Sequence, residues 1–142
     1  MSPPPSPPPL RIRRIQILTL HVPVQAETLR RLAAGDAACL DDEPALSAML
    51  AIVREANPLG DFGAYHGVVE LGLGWELFTP GDSARPTLGA PNVESRSPTV
   101  ILRIHVPGED PSAADATIRR ILAAHPWETP VMERSTAELL SR

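Results

Sequence analysis

Histidine is the side chain best suited to proton or metal chemistry near neutral pH, and two of the four histidines here occupy equivalent places in a repeat. His21 lies in Leu18-Thr19-Leu20-His21-Val22-Pro23, and His105 in Leu102-Arg103-Ile104-His105-Val106-Pro107. On parallel neighbouring strands in register, the two imidazoles would stand about 5 Å apart, the interstrand spacing. At that distance they can share a divalent metal, with a carboxylate or water completing the shell. The competing and more economical reading makes them interface residues with ordinary hydrogen bonds. His66, next to Tyr65, is a strand-edge residue or a third metal candidate. His125 precedes Pro126 at the end of a helical stretch. There it can cap the last carbonyls or, with Trp127 and Glu128, line a small-molecule pocket between subunits.

The rest of the sequence argues against catalysis. It contains no nucleophile elbow, phosphate loop, His-Glu-x-x-His or paired-cysteine motif. All 13 basic residues are arginine, so lysine chemistry is excluded. Glu70 and Glu76 read as solvated positions flanking a hairpin whose turn is Gly72-Leu73-Gly74. The single cysteine, Cys39, excludes an internal disulfide and reads as a small buried residue. A net charge of -4 argues against a nucleic-acid partner. No stretch approaches the roughly 20 apolar residues of a membrane helix. A cytoplasmic protein is the expectation.

These residues need a scaffold, and the repeat describes one. Alternation along Ile15–Val22 sends Leu18, Leu20 and Val22 to one face and Ile17, Thr19 and His21 to the other. In the second copy, Val100, Leu102, Ile104 and Val106 oppose Ile101, Arg103 and His105. Pro23 and Pro107 end the two strands, because proline has no N–H for a ladder. Each strand is followed by a helical stretch, 26–34 in the first copy and 111–124 in the second, with Ile118, Ile121 and Leu122 as an apolar stripe. A further helix follows Asp41-Asp42-Glu43-Pro44, where acids and proline suit a helix start; Leu46, Met49, Leu50 and Val53 follow at helical spacing. Strands are expected over 66–71, 75–79 and 130–135, a loop over 80–98 and a short helical tail over 136–141. The proline-rich start puts 1–14 in a disordered tail, leaving one domain over 15–135 and a C-terminal tail over 136–142.

Two strand–helix units in one small chain predict an α+β, ferredoxin-like split βαβ sandwich with an antiparallel or mixed sheet and the helices on one face. The two repeat strands are expected as parallel neighbours at the centre. The face bearing His21 and His105 would lie open, as a surface for another subunit.

The segment His125-Pro126-Trp127-Glu128-Thr129-Pro130 resembles the His-Pro-Tyr-Glu-Glu-Pro signature of YqfO-type proteins. Gly63-Ala64-Tyr65 resembles that family's Gly-Asn-Tyr, and Gly72-Leu73-Gly74 with Phe78 and Pro80 resembles its Gly-Thr-Gly-Thr-Phe-Arg-Pro. Val22-Pro23 and Val106-Pro107 resemble its two strand ends. The likeness spans about 15–133, and this chain carries an extra segment around 36–57. The resemblance implies a PII/CutA-like domain, found alone or inserted in dinuclear-metal proteins called GTP cyclohydrolase type 2 homologues. The metal lobes of those long proteins have no counterpart in 142 residues, so no enzymatic activity is expected. The resemblance implies a homo-oligomer, with a trimer favoured, that binds a small molecule or divalent metal in a sensing role. Tyr65, His125, Trp127 and Glu128 are the candidate ligand residues; His21, His105 and His66 are the metal candidates. The cofactor is unknown. A structural interaction domain without its own ligand is the alternative.

Overall fold

A computed structural model describes residues 1–142. Strand β1 spans Arg11–Pro23, helix α1 Ala26–Ala33 and helix α2 Pro44–Arg54, with a 3-10 turn over Ala37–Asp42 between the helices. Strand β2 spans Glu70–Phe78, β3 Ser95–Val106, helix α3 Asp115–Ala124 and strand β4 Met132–Ser141. The four strands form one sheet in the order β2-β3-β1-β4, and every neighbouring pair is antiparallel. This is a small α+β domain, consistent with the ferredoxin-like class.

The repeat strands β1 and β3 are central neighbours as expected, but they run antiparallel. The reason lies in the connections. The helices α1 and α2 carry the chain from β1 past an open lane to β2, and β3 returns along that lane, antiparallel to both. Each strand–helix–strand unit is thus split by a strand of the other, which no parallel pairing of the repeat copies can satisfy.

The faces follow the alternation. Leu18 pairs with Ile104, Leu20 with Leu102 and Val22 with Val100, and all six are buried. They join Leu46, Met49, Leu50 and Val53 of α2 and Ile121 of α3 in one core, with Leu29 and Leu32 of α1 packed at its margin. Pro44 starts α2, where the missing N–H costs nothing. Glu43 holds α2 to α1: one carboxylate oxygen accepts from the Gln25 N–H and the Thr28 hydroxyl. Glu55, at the end of α2, pairs with Arg120 in the middle of α3. Leu122 faces away from the core and is 44% exposed, so the apolar stripe of α3 is narrower than its sequence suggests.

Three further expectations are corrected. Gly72-Leu73-Gly74 is no turn; β2 runs straight through it, and the strand begins at Glu70 rather than His66. A Cβ at either glycine would stand in ordinary van der Waals contact with the side chain of Ile101. Glu70 and Glu76 therefore share one strand and one face. Second, 136–141 is strand, because it completes the edge beside β1. Third, Arg11–Arg14 belong to β1 and pair with Glu138–Ser141, so the tail ends at Leu10. One glycine is required by geometry. Gly60 has φ +64, and a Cβ there would stand 2.5 Å from the carbonyl oxygen of Val68. Its N–H donates to His105 and its carbonyl accepts from Val68, which ties the 55–69 loop to the end of β3.

Candidate functional site: an aromatic cleft at one end of the sheet

The site begins where β1 stops. Pro23 ends the ladder, the Val24 N–H turns to the carbonyl of Pro98, and the His21 N–H donates to the carbonyl of Val131, the residue just before β4. The chain leaving α3 must cross this corner. Pro126 holds His125 extended, at φ -70 and ψ 135, and this turns the imidazole inward. Its Nε2 donates to the carbonyl oxygen of His21 at 2.7 Å. The Trp127 N–H donates back to Nδ1 at 3.1 Å. The two backbone partners fix the neutral tautomer with the proton on Nε2. Burial pushes the His125 pKa down, against smaller upward contributions from the His21 carbonyl and the Glu76 charge. With both ring nitrogens occupied, His125 positions Trp127 and has no lone pair for a ligand or metal.

Trp127 then packs edge-on against Phe78 at the end of β2, with ring centroids 5.1 Å apart at 60°. The 79–94 loop closes over this pair. The Thr87 hydroxyl donates to the Pro126 carbonyl at 2.9 Å, and the Arg85 N–H donates to Glu128 Oε1 at 2.7 Å. Between loop and strand lies a cavity of about 350 Å³, lined by Phe78, Pro80, Pro86, Leu88, Trp127 and Val131, with the carboxylates of Glu76 and Glu128 at its wall. Its size lies at the lower end of the roughly 300–1,000 Å³ typical of ligand pockets, and its make-up, apolar walls with few polar groups, is typical too.

Of the candidate residues, Trp127 and Glu128 line this cavity, and His125 stands behind Trp127. Tyr65 lies elsewhere, 75% exposed on the 55–69 loop near the end of β3. Its carbonyl accepts from Phe62, whose ring stands 5.6 Å from His105. His66 is exposed, with Nδ1 3.2 Å from Asp61. His105 contacts Glu70 at 3.7 Å and Arg103 at 3.4 Å.

His21 and His105 share the face assigned to them, but they do not meet. His21 pairs with Ile101 and His105 with Ile17, so four register positions, or roughly 13 Å, separate them along the sheet. The shared-metal geometry required parallel strands and fails with them. No group of three or more His, Cys, Asp or Glu side chains is placed to hold a metal ion. Phe78, Glu76, Pro86 and Leu88 also line the cavity and are not among the candidate site residues read from the sequence. The false turn at Gly72-Leu73-Gly74 hid Glu76, and the only signal for Phe78 was its place in the resemblance.

No family model matches this chain, and no curated protein matches it. Among solved structures it is similar to a Bacillus cereus protein related to NIF3, with a TM-score of 0.55 and 17% sequence identity. The likeness covers 89% of this chain and 26% of that protein, so this chain spans about a quarter of its length. At that identity the likeness concerns the fold: this small α+β sandwich also occurs within a much longer NIF3-related chain. No helix here is long and apolar enough to cross a membrane.

Proposed function

We propose that the chain is a small self-associating binding module of the PII/CutA-like type found in YqfO proteins, and that it holds a small organic ligand in the Phe78–Trp127 cleft. The carrying observation is the cavity itself: two aromatic rings, two carboxylates and a loop hydrogen-bonded across the mouth. The resemblance of the His125–Pro130 segment to the family signature supports this reading, because that segment forms one wall. The fold likeness to part of a NIF3-related protein agrees with it. In this reading the module senses or regulates and does not catalyse, in the cytoplasm. A metal shared by His21 and His105 is not part of this reading, because the two residues stand four register positions apart.

Self-association is proposed from the sheet edges. Leu71, Leu73, Trp75 and Leu77 share one face of edge strand β2 and are 40–58% exposed. At the other edge, Ile12 and Leu140 pair with each other and are similarly exposed. Edges of this kind invite a second copy, and the resemblance favours a trimer. The same stripe supports the second reading, a purely structural interaction domain.

A thermal-shift screen with amines, nucleotides and divalent metals separates the two. A ligand of the native state raises the melting temperature as its concentration exceeds its Kd. The binding reading expects at least one organic compound to do so in the wild type and to lose its effect in Trp127→Ala. A flat response from the whole panel favours the structural reading.

A further inference from the structure

We infer that the Phe78–Trp127 cleft selects an organic cation, an amine or quaternary ammonium on an apolar body, rather than a nucleotide or other anion. The inference rests on the reading of this cleft as a ligand site and adds the chemical class of the ligand. It comes from the charges around the cavity. Both charged residues lining it are acidic, Glu76 and Glu128. No arginine lines it, and the chain has no lysine. A phosphate entering the cleft would meet two glutamates and no basic residue among those that line it.

The carboxylates are not neutralised from within. Glu76 is half-buried beside Phe78, yet none of the chain's ion pairs includes it. Glu128 accepts a hydrogen bond from the backbone N–H of Arg85, which orients one oxygen and leaves the other free. The nearby imidazole of His125 supplies no charge, since its Nδ1 accepts from Trp127 and its single proton goes to His21. Glu76 is half-buried with no internal cation, and a ligand ammonium supplies a counter-charge to it and to the exposed Glu128. The aromatic faces contribute in the same direction, because a cation over tryptophan or phenylalanine is attracted by the ring quadrupole. A bare metal ion fits less well: the walls are mainly apolar, and no cluster of three metal-ligating side chains is present.

Calorimetric titration with phenethylamine, phenethyl alcohol and phenylacetate tests this, because the three share a ring and differ in charge. The inference expects the amine to bind at least about tenfold more tightly than the alcohol, with Glu76→Gln removing most of that difference, and phenylacetate to bind most weakly. Glu128→Gln provides an independent check should Glu76→Gln melt early. If alcohol and amine bind equally and Trp127→Ala abolishes both, the cleft is a ligand site but the cation preference is wrong. If none of the three binds in a manner sensitive to Trp127→Ala, the inference fails together with the reading on which it rests.

Discussion

His125 and His21, 104 positions apart in sequence, are joined by a 2.7 Å hydrogen bond from the imidazole Nε2 to the backbone carbonyl oxygen. This bond closes the corner between the end of β1 and the segment leaving α3. His125→Ala removes it, frees the Trp127 N–H and opens a cavity at a site only 7% exposed. The expected loss is about 2–3 kcal/mol of stability, read by urea denaturation. His66→Ala, at an exposed loop position, is expected to stay within about 0.5 kcal/mol. Equal effects of the two variants would contradict the structural role given to His125.

The same imidazole gives the fold an acid-sensitive limb. Its folded pKa lies below the ordinary histidine value, chiefly because burial disfavours the charged ring. The unfolded chain therefore takes up a proton at higher pH than the folded one. Its contribution is intact above about pH 6.5, the ordinary histidine value, and is lost as pH falls from there toward the lowered folded pKa. Melting temperature measured from pH 7.5 to pH 5 is expected to fall, and His125→Gln is expected to flatten that slope. An unchanged slope in the variant would assign the sensitivity elsewhere.

The tail and the strand separate at Leu10. Residues 1–10 are exposed and outside every element, whereas Arg11–Arg14 pair with Glu138–Ser141. Deleting 1–9 is expected to leave the melting temperature unchanged. Deleting 1–14 strips the partner from the end of β4 and is expected to lower it. A drop from the shorter deletion, or none from the longer, would contradict this boundary.

How much was legible follows from what each feature depends on. Local alternation was enough to place Leu18, Leu20, Leu102 and Ile104 in the core and His21 and His105 on the opposite face. Pro23, Pro44 and Pro126 act through their own backbone geometry, so their punctuation was legible too. Strand direction was not, because it depends on which lane the α1–α2 crossover leaves empty, and no single strand encodes that. Gly72 and Gly74 mislead because glycine permits a turn without requiring one; here they sit beside Ile101 of β3 in an unbroken strand. The sequence of Thr136–Ser141 suggests helix, whereas its strand form comes from pairing with Arg11–Gln16. Trp127 and Glu128 were found at the site through the family signature, but Glu76 joined them only once β2 was known to be continuous.

The central claim, that the cleft between Phe78 and Trp127 is where this module takes its ligand, is tested most directly by amide and indole NMR shifts during titration with phenethylamine. The account predicts shifts concentrated at Glu76, Phe78, Leu88, the Trp127 indole and Thr129, with Tyr65, His66 and His105 unmoved. Shifts centred on the 55–69 loop, or confined to the exposed stripe around Trp75, would contradict it.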